Sequence, residues 1–199
     1  MLSRLDSIDW TALQDAYGSA IDVPDRLRAL LSNDVAVRSV ALHELFGSVW
    51  HQGTVYSVSA HVVPFLLELI AAPQVEDKPS IVALLASIAG GRGYYEVHEA
   101  IVQKLSKQPI DVSAKRSKEI KVVEAVRRAV SPHVPDMLPY LVYPEPEVRL
   151  AVAQALPFYP EHYAFSKAGL KRARSTESQS EVLEAFDEAL TAISQAAQP

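Results

Sequence analysis

Apolar residues recur along this chain with the spacing of helix faces. In "DRLRALLS", Leu27, Leu30 and Leu31 fall on one side, and in "NDVAVRSVALHELFG" Val37, Val40, Ala41 and Leu45 do the same before a stop at Gly47. Trp10, Leu13 and Tyr17 predict an earlier helix that ends at Gly18. Val62 to Ala72 is almost wholly apolar, which predicts a helix buried on several sides. Ile81, Leu84, Leu85 and Ile88 form another stripe, ended by Gly90 and Gly91. Further helices are predicted over 96–107, 115–130, 136–142, 147–157, 163–173 and 179–196. The best strand candidate, "GTVYSVSA" at 53–60, is short and has no partner. Prolines mark the joints, Pro73, Pro109 and Pro157 among them, while Pro64, Pro139 and Pro146 suit first helical turns, where the missing N–H costs nothing.

Short helices joined by proline-marked turns describe stacked helical hairpins, for which internal repetition is the test. Laying "NDVAVRSVALHEL" (33–45) over "PEPEVRLAVAQAL" (144–156) brings Asp34 onto Glu145, Val37 onto Val148, Arg38 onto Arg149, Ala41 onto Val152 and Leu45 onto Leu156. The shift corresponds to about three repeats of roughly 37 residues. "SQSEVLEAFDEAL" (178–190) fits again with Leu183 in place of the Arg, and "DKPSIVALLASIA" (77–89) fits more loosely. The acid at each start opposes the helix dipole and can cap, the apolar ridge meets a partner helix, and the Arg can reach an acid of its own or the next turn.

The "D/E-x-x-V-R-x-x-A" pieces at 34–41 and 145–152 resemble the second helices of HEAT repeats. The stretch "ELFGSVWHQGTVY…VPFLLEL" looks like a block of small bacterial HEAT-like proteins. The resemblance implies an all-α fold: a right-handed α-solenoid of about four to five HEAT-like helical hairpins. It would be one domain over 1–199, with a capping helix at 1–19 and repeats over 20–196. It also implies a non-enzymatic interaction module that holds a protein partner in the solenoid groove, as a scaffold or as an immunity-type inhibitor of a toxin.

Composition narrows the picture further. The chain has 199 residues, about half apolar, and no Cys, so disulfides and thiolate metal sites are ruled out. Asp6 and Asp9 interrupt any signal-like apolar run, and the most apolar stretch carries Glu68 and is too short for a bilayer. The expectation is a soluble, cytoplasmic monomer without a membrane segment. The net charge of −5 is uneven: residues 1–100 hold six Lys/Arg against twelve Asp/Glu, and the remainder hold thirteen against twelve. An acidic first half suits a basic protein partner and would repel a nucleic-acid duplex laid along the array.

Candidate chemistry is sparse. The cluster Trp50-His51-Gln52-Gly53-Thr54-Val55-Tyr56 reads as a corner between helices, with Trp50 and Tyr56 as buried wedges, Gly47 and Gly53 as turn residues, and His51 on a contacting rim. His51 and His61 are ten residues apart, too far for a helical metal pair. HEAT-type deoxyhypusine hydroxylases build a di-iron site from several His-Glu motifs. Only His43-Glu44 and His98-Glu99 occur here, in different helices of their repeats, so that correspondence breaks down. "AGGRGYYEVH" lacks the strand and the Lys-Ser/Thr of a phosphate loop, leaving Tyr94 and Tyr95 as surface or packing aromatics. On the predicted helix over 115–130, Lys118, Lys121 and Arg128 lie opposite a valine stripe. These would serve an acidic partner or, in the alternative reading, nucleic acid, as in HEAT-like alkylpurine DNA glycosylases. The expected partner-binding residues are therefore Lys118, Lys121, Arg128, Tyr94, Tyr95 and His51, with no catalytic residue, metal or cofactor.

Overall fold

In the computed structural model of the protein the described residues are 1–105 and 113–197, without the side chain of Ala114. Pro109 and the last two residues of the helix expected over 96–107 lie outside them. Helices dominate: α1 (Val23–Ala29), α2 (Val35–Ser48), α3 (Ser59–Ala71), α4 (Lys78–Gly90), α5 (Tyr94–Leu105), α6 (Ser113–Val130), a short α7 (Val134–Met137), α8 (Pro146–Ala155), α9 (Tyr163–Arg174) and α10 (Ser180–Ala196). Among the described residues no helix is long and apolar enough to cross a membrane. Pro146 occupies a first helical turn as expected. Pro64 instead sits inside α3 on its exposed face, where the missing N–H falls on the solvent side.

The four repeating sequence pieces are four helices of one row. Asp34, Asp77, Glu145 and Gln179 immediately precede α2, α4, α8 and α10, and α2 packs on α4, α4 on α8 and α8 on α10. Asp34 and Glu145 are therefore two steps apart in this row, not three. The second step is lengthened by α5, which packs on α6 and on the strand at 54–55, while α6 packs back against α3. The segment 138–142, a 3-10 turn, packs on α8 and α9.

Residues 1–19, expected as a capping helix, form two 3-10 turns (Leu5–Ser7 and Trp10–Ala12) and a hairpin of β1 (Gln14–Asp15) with β2 (Gly18–Ser19). Local polar groups outbid the helix: the Asp15 carboxylate accepts from the N–H groups of Tyr17 and Gly18 at 2.8 and 3.0 Å. Trp10 is buried, and its indole N–H donates to the Leu5 carbonyl at 2.7 Å. Tyr17, at the turn, is 77% exposed, so the two never share a buried stripe.

The corner at 50–56 is likewise a hairpin, β3 (Trp50–His51) with β4 (Thr54–Val55), so the strand candidate does find a partner, immediately upstream of it. Gln52 and Gly53 both have positive φ, 48° and 87°, the requirement of a two-residue type I′ turn. The chain after α4 adds to this ribbon: the Val55 N–H donates to the Arg92 carbonyl and the Arg92 N–H to the Gly53 carbonyl, at 3.0 and 2.9 Å. A Cβ at Gly91 would lie 2.3 Å from Cγ1 of buried Val55, so only glycine lets the strand end come this close.

Two buried arginines tie layers together. The Arg149 guanidinium meets the Glu177 carboxylate twice, at 2.6 and 3.1 Å, and donates to the Tyr143 and Pro144 carbonyls at 2.6 and 2.7 Å. Arg38 binds Asp77, donates to Glu76 at 2.6 Å and reaches the Ser32 carbonyl at 3.0 Å. Each Arg therefore braces its helix to the start of the next one in the row. The expectation that they pair with the acid of their own helix start is corrected: Asp34 instead caps α2, accepting from the Ala36 N–H at 2.8 Å.

The α4–α8 joint has no such ion pair. Small residues let these two helices approach closely, and a Cβ on Gly90 would lie 3.5 Å from Ala155 Cα. The C-terminal carbonyls of α4 left without partners inside the helix are satisfied from outside it. Buried Tyr159 donates its hydroxyl to the Ala89 carbonyl at 3.1 Å. Arg127 binds the same carbonyl, donates to that of Gly91 at 2.8 Å, and lies over the Phe158 ring, 4.3 Å from its centre. Burial lowers the Arg127 pKa and raises that of the Tyr159 phenol.

Candidate functional site

A groove of about 540 Å³ runs over α4, between the ends of α2 and α8. Its floor follows from the small residues that permit close packing, Ala83, Ala86 and Gly90 on α4 and Ala151 on α8. Phe46 from the last turn of α2, Trp50 from the β3–β4 hairpin, and Leu150 and Phe158 from the α8 segment form its apolar walls. Phe46 and Trp50 meet edge to face with ring centres 6.3 Å apart, an arrangement that suits their quadrupoles and holds both rings upright.

The polar lining is uneven. α4 and α8 run in the same direction, since Gly90 and Ala155 meet near their C-terminal ends. Arg92, just past α4, therefore marks the aromatic end of the groove. Exposed Glu147, in the first turn of α8, marks the other. Glu147 sits at the N-terminal, positive end of the α8 dipole. Among the described residues the Arg92 side chain pairs with Glu96 alone, in a long, exposed contact of 3.8 Å, of a kind worth little in water. Ser87 and Gln154 complete the polar set. A cleft with apolar walls, a small-residue floor and opposite charges at its ends can hold an extended or helical segment and fix its direction. Among the described residues, no hydrogen bond joins Ser87 to a base.

Trp50 is half-buried, because one side of the ring faces the groove. It thus belongs both to the corner and to the lining. Tyr56 is also half-buried, and burial beside Tyr94 pushes its phenol up to about 12.

None of the six expected contact residues lines this groove. His51 sits in the hairpin with the Tyr17 ring against it, centres 5.8 Å apart. Tyr94 and Tyr95 open α5 and touch edge to face at 5.4 Å, and Lys115 of α6 donates to the Tyr95 hydroxyl at 2.7 Å. Lys118, Lys121 and Arg128 are exposed on α6. Carboxylates break up the basic strip: Arg116 binds Glu99, and Arg128 lies 3.9 Å from Glu124. Among the described residues no three His, Asp or Glu side chains are gathered as a metal site would need, the two His-Glu pairs included.

Sequence reasoning passed over Arg92, Glu147, Leu150 and Phe158. Only two of them carried a signal: Glu147 and Leu150 occupy the outward side of the repeated helix, opposite the ridge used to find it, whereas Arg92 and Phe158 lie past the helix ends. No protein-family model matches the chain, and no curated protein matches it.

Proposed function

We propose that this chain is a non-enzymatic interaction module that holds a segment of a protein partner in the groove over α4. In this reading it is a HEAT-like, right-handed α-solenoid whose four hairpin layers are led by α2, α4, α8 and α10, with α5 as an insertion. The observation that carries the reading is the groove itself, where Phe46, Trp50, Leu150 and Phe158 stand around a floor of alanines and glycine. Aromatic anchors in a concave, water-excluding setting are where binding energy concentrates in protein interfaces. The resemblance to small bacterial HEAT-like proteins and the acidic first hundred residues favour a cytoplasmic monomer that blocks a basic protein, in the manner of an immunity protein.

The test is calorimetric titration of a purified partner, first obtained with the wild-type chain as bait, against Trp50→Ala and Leu150→Arg. Both variants should lose affinity, with Leu150→Arg the more severe; Trp50→Ala also removes packing from the corner and should lower the melting temperature, so the titrations are run where both variants are folded. Unchanged affinity in both would remove the groove from the interface. Loss of affinity on reversing Lys118, Lys121 and Arg128 instead would move the interface to α6.

A further inference from the structure

The first layer of the row is open on a side that later layers close. In α8, Val148, Ala151 and Ala155 share one stripe, three and four residues apart, and Ala155 lies directly against Gly90 of α4. Val148 is 3% exposed there and Ala155 1%. The repeat that places Asp34 on Glu145 puts Val37, Val40 and Glu44 of α2 at these same three positions. Among the described residues nothing covers them: Val37 is 42% exposed and Val40 57%. With Ala29 of α1 they line a groove of about 640 Å³ between α1 and α2.

The end layer of a stacked array ordinarily turns a polar face outward. Here valines stand where a preceding helix would pack, and the rim carries Asp22, Asp25 and Glu44. Glu44 takes the position of Ala155, so any helix seated here as α4 is seated on α8 would meet a carboxylate. Two guanidinium groups serve five carboxylates here, so the face stays net acidic: Arg26 meets Glu44 at 2.9 Å and faces Asp15 and Asp22 at 3.9 and 3.8 Å, and Arg28 meets Asp25 at 2.9 Å and Asp6 at 2.5 Å. We infer that the α1–α2 face is a second docking surface, built to take an amphipathic helix of a protein partner that carries small apolar residues on one stripe and Lys or Arg along its edges. Like charge disfavours the same face of a second copy, since it would set Asp22, Asp25 and Glu44 against their own equivalents. This surface is separate from the groove over α4, and either can fail without the other.

The probe is a synthetic amidated 18-residue helix with an Ala/Leu stripe flanked by lysines, and its counterpart with glutamates in place of the lysines. Each is labelled and titrated by fluorescence anisotropy against the full chain. The lysine helix should bind and the glutamate helix should not. Val40→Lys and Glu44→Lys should each weaken binding by at least about tenfold, while Leu150→Arg leaves it unchanged. Val40 is exposed, so Val40→Lys should melt with wild type and keep the test valid if Glu44→Lys, which releases Arg26, is less stable. The inference is overturned if neither helix binds, if both bind alike, or if Leu150→Arg and not Val40→Lys abolishes binding. Sedimentation showing a dimer that Val40→Lys dissociates would overturn it in favour of a second copy.

Discussion

Replacing Arg149 with Met removes one end of the brace between α8 and the start of α10 and leaves most of the volume in place. Arg149 is 8% exposed, and its guanidinium makes two contacts to Glu177 and two to backbone carbonyls. Its loss strands a carboxylate whose side chain is only 6% exposed, together with the Tyr143 and Pro144 carbonyls. Breaking a buried pair from one side costs about 3–5 kcal/mol. Glu177 still accepts from the Ser178 and Gln179 N–H groups, at 2.9 Å each, which places the expected loss near the lower end, about 3 kcal/mol. That corresponds to a fall in melting temperature of about 6–12 °C for a chain of this size.

The pH dependence gives a second readout. Burial pushes the Glu177 pKa up, but the Arg149 hydrogen bond and the two backbone N–H groups outweigh it and hold the group below the usual glutamate range. A depressed folded-state pKa contributes stability that is complete above the ordinary glutamate value and is lost as pH falls through the folded one. The gap between wild type and Arg149→Met in urea unfolding should therefore be widest at neutral pH and narrow below about pH 4. The double variant Arg149→Met/Glu177→Gln should recover much of the loss, because no charge is left unpaired. A single-variant cost under about 1 kcal/mol, the range of an exposed pair, or a gap that widens on acidification would refute this account of the brace.

Three smaller predictions follow from backbone and packing. Gln52→Asn should stabilise the chain by on the order of 1 kcal/mol, since Gln52 holds a positive φ that Asn adopts more readily in a type I′ turn; thermal unfolding reads this directly. Gly91→Ala should destabilise by about 1–3 kcal/mol, because the added methyl meets buried Val55, and should loosen the hairpin's amide exchange. Tyr159→Phe should cost roughly 1 kcal/mol by removing the hydroxyl that satisfies the Ala89 carbonyl, measurable by urea unfolding.

The helical row was legible because its signal is local and repeated. An acid before the helix, an apolar ridge and, twice, an Arg four residues on located α2, α4 and α8 from spacing, and the ridge alone located α10. Two things escaped. The hairpins at 14–19 and 50–55 have strands of two residues each, too short for a period of two to register, and they rest on an Asp15 side-chain turn and on positive φ at Gln52. The order of packing also escaped, because nothing local in α5 marks it as an addition that lets α8 reach back to α4. The groove depends on that long-range joint. Its walls come from two separate stretches, 46–50 and 150–158, and its floor from α4 between them, so no window of sequence holds the whole set. Trp50 shows the limit clearly: its size announced a packing role, but only the tertiary arrangement turns one side of its ring toward the groove.

Site-specific photocrosslinking in cells tests the central claim most directly, with a benzophenone side chain placed in turn at Ala151 on the groove floor, at Lys121 on α6 and at Val40 on the open face of α2. The account predicts that the Ala151 probe joins the chain to one protein species, and that Leu150→Arg abolishes this product. Products from Lys121 alone, or an Ala151 product indifferent to Leu150→Arg, would contradict it.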